Sequence, residues 1–210
     1  MRKPQSKPSP ASRRLRHAAA GLLGGLLLCA QPGAQADAAG RVLAPLVVET
    51  RGELLLDSSG RPRYERWSLA PLRAFEHIGM LMVLPARIAT RSQIAPLESA
   101  IKARRYDYRR LVSTSVINLA DATWAVGLMM EGEISKQKKA EPDVHLVIDD
   151  AGGVRRALDL REAVIHVLLY DCEGELVDRH EGGFTQAQAQ RFIERIDEAL
   201  RGPSCGDSRS

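Results

Sequence analysis

The stretch that most constrains this chain runs from His77 to Arg105. HIGMLMVLP (77–85) is an unbroken apolar run, the pattern of a central strand covered on both faces rather than of a half-exposed one. Pro85 has no N–H for a strand ladder and ends it. A short loop follows. From about Ser92 to Arg105 the spacing then predicts an amphipathic helix with Ile94, Leu97 and Ile101 on one face. Pro96 is expected in its first turns, where a missing N–H costs little. A strand buried on both sides calls for cover on both sides, which means an α/β layer architecture.

The 210 residues leave room for one ordinary domain and an appendage. Hydrophobic residues make up 44% but aromatics only 4%, so the core must be built from Leu, Val, Ile and Ala. The formal charge of +4 is unevenly placed. Of 30 Lys and Arg, six (Arg2, Lys3, Lys7, Arg13, Arg14, Arg16) lie within 1–36, which holds no acid. The rest of the chain has 24 basic against 26 acidic residues, a net of −2. Without that segment, net charge gives no argument for a nucleic-acid partner.

Residues 1–36 have the three parts of an export signal: a basic region to His17, an apolar run from Ala18 to Ala30, and Ala34-Gln35-Ala36 for a signal peptidase. The run falls short of the roughly 20 residues that span a bilayer. Cleavage is expected near Ala36, giving a periplasmic protein that starts at Asp37 and has no stable membrane anchor. Ser12-Arg13-Arg14 matches the start of a twin-arginine signal, but Arg16 stands where that signal wants a hydrophobic residue. Leu28 before Cys29 is too bulky for a lipidation box.

The mature chain reads as a flexible lead-in (37–45), a domain (46–202) and a short tail (203–210). Leu46–Leu56 and Tyr64–Trp67 flank the turn formers of DSSGRP, an N-terminal hairpin. Leu69–Phe75 leads into the central strand, and a second strand follows at Leu111–Leu119. Trp124–Met130 is apolar and Glu131–Lys139 highly charged, which suggests an irregular stretch with room for a short helix. Val144–Ile148 is a strand, Val154–Leu160 a short element of either kind. Val164–Tyr170 and Glu175–His180 flank the turn Asp171-Cys172-Glu173-Gly174. The last helix starts at Thr185, with Gln188 completing a capping box, and ends at Gly202-Pro203. Ala189, Phe192, Ile193, Ile196 and Leu200 form its apolar face.

From 46 to 201 the chain resembles the YtfJ family of exported bacterial proteins. The resemblance lies in RGELLLD (51–57), YERW (64–67), LESAIK (97–102), VSTSVIN (112–118), AVIHVLLYDCEGELV (163–177) and the closing helix. It implies a thioredoxin-like three-layer α/β fold with an N-terminal β-hairpin, on a branch related to peroxiredoxins. VHLVIDDAGGVRRALDL (144–160) resembles the superfamily's strand–DxxG–helix passage. The 163–177 hairpin resembles the segment after its cis-proline. The departures fall on the redox centre. Such a fold uses a cysteine in the loop after the first core strand, whose thiolate the helix N-terminus stabilises. Here the loop offers Arg87, Ile88, Ala89, Thr90, Arg91 and Ser92, and Arg161-Glu162-Ala163 stand where the cis-proline belongs.

Two cysteines lie outside the signal, Cys172 and Cys205. The strand leaving the turn at Glu175 covers roughly 20 Å, and the helix from Thr185 returns roughly 25 Å. The two sulfurs can therefore end as neighbours, and a Cys172–Cys205 disulfide is expected in an oxidising compartment. The alternative is two free thiols. Arg87, Thr90, Arg91 and Ser92 could hold an anion before a helix, or be a solvated cap. Lys102–Arg110 interleaves basic residues with Tyr106 and Tyr108, and is read as a charged helix end rather than a nucleic-acid patch. His77, His145 and His166 sit at or near strands without metal-site spacing, and Asp149-Asp150 is a turn. No nucleophile elbow, P-loop or dinucleotide fingerprint is present. The expectation is therefore a binding protein with no catalytic residue, metal or cofactor assigned. Its partner would be another envelope protein or a small ligand. The contrasting reading is a thiol oxidoreductase or peroxidase using Cys172 with Cys205.

Overall fold

The computed structural model describes residues 46–69, 77–122, 124–172 and 174–202. The expected signal segment (1–36) and lead-in (37–45), most of the 69–75 passage and the tail with Cys205 lie outside the described residues. The elements in chain order are β1 (Val47–Leu56), β2 (Pro62–Ser68), β3 (Ile78–Pro85), α1 (Ile88–Arg104), β4 (Leu111–Asn118) and α2 (Trp124–Ala140). They continue with β5 (His145–Asp149), α3 (Gly153–Ala157), β6 (His166–Tyr170), β7 (Leu176–Glu181) and α4 (Gln186–Arg201). The strands form one sheet in the order β2-β1-β5-β4-β3-β6-β7. β3, β4 and β5 run parallel, and the other pairs are antiparallel.

All eight residues of β3 are buried, as its apolar run requires. Its side chains alternate between two cores. Met80, Met82 and Leu84 face a cluster with Ile94 and Leu97 of α1 and Phe192, Ile193 and Ile196 of α4. Leu81 and Val83 face a second cluster with Val154 of α3, Leu160 and Trp67. This is the expected three-layer arrangement. The hairpin forms as read, and Asp57 locks its turn by accepting hydrogen bonds from the Ser59 and Arg61 N–H groups (2.8 and 2.9 Å). The Ser59 hydroxyl and these N–H groups hold the Asp57 pKa at about 2. β1 carries an irregularity between Val48 and Glu53, where Arg51 and Gly52 take left-handed backbone (φ 60° and 74°). The capping box of α4 is in place: Thr185 Oγ1 accepts from the Gln188 N–H, and Gln188 Oε1 accepts from the Thr185 N–H.

Two elements differ from expectation. α1 begins at Ile88, a turn before Ser92. Arg87 caps it without a side-chain bond, so no capping residue marks the start. Pro96 consequently lies in the helix interior, where its ring removes the bond to the Ser92 carbonyl. Residues 124–140 form a full helix of 17 residues. In its described half Ile134 enters the core. Lys138 is buried too, and its Nζ donates to the Pro142 and Val144 carbonyls, both at 2.7 Å. That cation closes the helix end. Burial lowers its pKa, against the pull of Glu53 and Asp143. Ion pairs Arg91–Glu133 and Lys102–Glu141 tie α2 to α1. Among the described residues no helix is long and apolar enough to cross a membrane.

Candidate functional site

Three parallel strands, β3, β4 and β5, end at the same edge of the sheet, and α1 starts there. Ligands in open α/β sheets bind outside such carboxyl ends. Four segments meet at this edge. The Ala86 N–H donates to the Asn118 carbonyl at 3.0 Å, joining the β3–α1 link to the end of β4. Asn118 is buried; its Nδ2 donates to Asp121 Oδ2 at 2.8 Å and its Oδ1 accepts from the Ala120 N–H at 3.0 Å. Asp121 Oδ2 also accepts from the Ala163 N–H at 3.3 Å. A Cβ on Gly152 would lie 3.1 Å from Asn118 Oδ1. The β3–α1, β4–α2, β5–α3 and α3–β6 links are thus tied around Asn118 and Asp121. Ala163 holds a left-handed backbone (φ 59°) in the loop where the superfamily places its cis-proline, and no described peptide bond is cis.

What the start of α1 presents outward is apolar and cationic. Ile88, first residue of α1, is 75% exposed, with exposed Arg87 and Ala89 beside it. The four residues of the expected anion loop do not converge. Thr90 is buried and its hydroxyl donates to the Pro85 carbonyl at 2.7 Å. Ser92 Oγ donates to the Ala89 carbonyl at 2.9 Å, and Arg91 reaches across to Glu133 at 3.2 Å. Arg87 alone stays at the helix start. The cause is the earlier helix: Thr90, Arg91 and Ser92 are inside α1, not before it.

Cys172 lies at the other end of the sheet. Tyr170 pairs with Gly79 and His166 with Val83, so the β6–β7 turn sits beside the start of β3. That is roughly 20 Å along the strand from where α1 begins. Cys172 is half-buried and packs against the main core cluster. α4 ends at the same side, where the Arg110 guanidinium donates to the Leu200 carbonyl. Cys205 lies outside the described residues.

The basic and aromatic run at 102–110 is spent on internal ties. Lys102 pairs with Glu141 and Arg104 with Asp197. The Tyr106 hydroxyl donates to Asp197 Oδ1 at 2.7 Å, and burial with that carboxylate raises its pKa. Tyr108 remains exposed. His145 Nδ1 lies 2.6 Å from Glu53 Oε1. No group of three His, Cys, Asp or Glu among the described residues could hold a metal ion. The sequence marks His166 only as a strand histidine without metal-site spacing; the structure places it fully buried in a charged cluster beside the Ala163 loop. Charged residues on both sides (Arg161, Glu162, Arg179, Glu181) were the available signal.

The family described as a bacterial protein of unknown function, YtfJ_HI0045, matches residues 38–199. The chain is 26% identical over 180 residues to the uncharacterized protein YtfJ of Escherichia coli K12, covering 84% of this chain and 94% of that one. An uncharacterized protein of Haemophilus influenzae is 24% identical over 156 residues, covering 74% and 83%. Among solved structures, a thioredoxin-like superfamily protein matches with a TM-score of 0.51 at 14% identity, over 77% of this chain and 99% of that one. A hypothetical protein of Sinorhizobium meliloti 1021 gives 0.50 at 16%, over 80% and 91%. These structural likenesses show the fold, which is thioredoxin-like. The match over 38–199 settles the family: the chain belongs to the bacterial YtfJ_HI0045 proteins.

Proposed function

We propose that this is an exported, periplasmic protein that uses a thioredoxin-like scaffold for binding and not for thiol chemistry. The observation that carries the reading is the start of α1. Where the fold would present a reactive cysteine, this chain presents Ala86, Arg87 and an exposed Ile88. The polar groups behind them are engaged with one another through Asn118 and Asp121. An exposed branched aliphatic beside an arginine suits a protein surface, so an envelope protein is the favoured partner over a small ligand.

Export is supported by the three-part pattern of residues 1–36. A Cys172–Cys205 staple is supported by the disulfide-bonded state of Cys172 and by α4 ending on the Cys172 side of the sheet. Its role is structural, because Cys172 sits on a hairpin turn, away from any helix N-terminus that would lower its pKa.

One preparation tests all three parts. Protein recovered from the periplasm is weighed intact after alkylation, with and without reduction, then assayed for peroxide consumption and disulfide reduction. The expected result is a mass starting at Asp37, two alkyl groups added only after reduction, and no turnover. Sulfenylation of Cys172 by peroxide, reversed by a dithiol, would overturn the binding reading in favour of an oxidoreductase.

A further inference from the structure

His166 opens β6 and is fully buried. Its Nε2 lies 3.1 Å from the Arg161 carbonyl. A carbonyl only accepts, so the neutral ring carries its proton on Nε2 and leaves a lone pair on Nδ1. That Nδ1 has no hydrogen-bond partner. It faces Glu181 Oε1 at 3.8 Å, acceptor against acceptor. Glu181 is in turn held by Arg161, through Nε at 2.9 Å and Nη2 at 2.6 Å, and by the Arg179 guanidinium. The three residues therefore close a ring. The backbone of Arg161 holds the imidazole, its side chain holds Glu181, and Glu181 faces the open nitrogen.

We propose that His166 is a proton-operated latch on the loop from Arg161 to Ile165, fastened while the imidazole is neutral and released when Nδ1 takes up a proton. The charged groups that face it are Glu181 and Arg179 from β7 and Arg161 from the loop; its neighbour across β3 is Val83. Protonation gives Nδ1 a hydrogen to donate to Glu181. It also places a third cation around one carboxylate already shared by two arginines. Oε1 then carries Nδ1 beside Arg179, while Arg161 is bound to Oε2 and is the more exposed of the two, at 67% against 33%; it exchanges the weakened carboxylate for water at the lower cost and is the one released. The loop that begins with it then loses its side-chain anchor. Two residues on, Ala163 holds a left-handed backbone and donates to Asp121, so slack in this loop reaches the candidate surface. Burial lowers the His166 pKa, with the two arginines, while the Arg161 carbonyl and Glu181 act against it. The fastened state is therefore the neutral-pH state. The latch stands on this cluster alone and does not depend on the binding reading.

The test is NMR of the full mature chain from pH 7.5 to 4.5, following the His166 ring nitrogens and the Ala163 amide. The expected result is an Nε2–H tautomer at neutral pH and titration below the ordinary value of about 6.5. The midpoint should fall further in Glu181→Gln and rise in Arg179→Gln, because the first removes an anion and the second a cation. Protection of the Ala163 amide, corrected for intrinsic exchange, should drop roughly tenfold through the same titration. It should stay flat in His166→Gln, whose side-chain amide keeps a donor for the Arg161 carbonyl without titrating. An Nδ1–H tautomer, an ordinary midpoint unmoved by both charge variants, or Ala163 protection that ignores pH would overturn the latch. So would equal pH dependence in His166→Gln. Should that variant not fold, Arg179→Gln decides the matter: the drop in Ala163 protection should move to higher pH together with the His166 midpoint, and a drop that stays in place would overturn the latch.

Discussion

At Gly52 an added Cβ would stand 2.2 Å from the Glu65 carbonyl and 2.9 Å from the Trp67 nitrogen, on backbone with φ +74°. Both the space and the dihedral exclude a side chain, since Gly52 lies in the β1–β2 irregularity pressed against the β2 backbone and pairs with Ile148 of β5 on its other side. Gly52→Ala is expected to destabilise the fold by about 3 kcal/mol, from strain and overpacking together. Urea unfolding reads the loss; a change under about 0.5 kcal/mol would mean that β1 and β2 separate here at little cost. Lys138 is the contrasting case at this scale. A lysine reads as surface in any sequence, yet its Nζ satisfies two carbonyls at the end of α2. Both acceptors lie only four and six residues on, but no residue pattern marks a lysine that the chain after the helix will turn back to cover.

Among the elements, α4 has the most fully written start. Thr185 and Gln188 satisfy each other's backbone N–H groups, and Thr185→Ala should cost about 1 kcal/mol. A thermal shift that leaves the midpoint unchanged would show that packing of Phe192, Ile193 and Ile196 holds the helix start without the cap. α4 was legible for that reason: its box and apolar spacing are both local. The strands were legible too, through the unbroken run of β3 and the turn residues at 57–62 and 171–174. α1 lost its first turn in the reading because Arg87 gives no capping signal. With that turn went the meaning of Thr90, which is a buried strut to Pro85 where a loop ligand was expected. α2 escaped because its apolar and charged residues are divided along the chain, not around the helix. A period of 3.6 cannot be read from two blocks.

For the molecule as a whole, acid stability combines these local charges. His166 has a lowered pKa in the folded chain, so the unfolded chain binds that proton first. Its contribution is fully present above about pH 6.5 and is lost as pH falls towards the folded value. Glu181 is also buried enough to be pushed upward, but Arg161 and Arg179 outweigh this and hold it below the usual range. Its share, like that of Asp57, persists above about pH 4.5 and fades below. Urea midpoints should therefore begin to decline between pH 7 and 5 in the natural chain and decline less in His166→Gln. Identical slopes in the two proteins would remove His166 from the account. The residues of the candidate surface were visible in the sequence, but their arrangement was not. Ala163 meets Asp121 and Tyr170 meets Gly79 only through sheet order, and that order also puts Cys172 and the start of α1 at opposite ends.

The same strand order leaves a sheet with two terminal strands, β2 and β7. Open edges invite further strands, and a row of sheets joined edge to edge is the beginning of an aggregate. Both edges here are studded with charge: Arg63, Glu65 and Arg66 along β2, and Asp178, Arg179 and Glu181 along β7. Most of these charges are compensated within the chain, by Glu49 for Arg66 and by Arg195 for Asp178. An incoming strand would have to strip water and partners from every second position before its first hydrogen bond. Charge along both edges in this way discourages a second copy of the chain from extending the sheet.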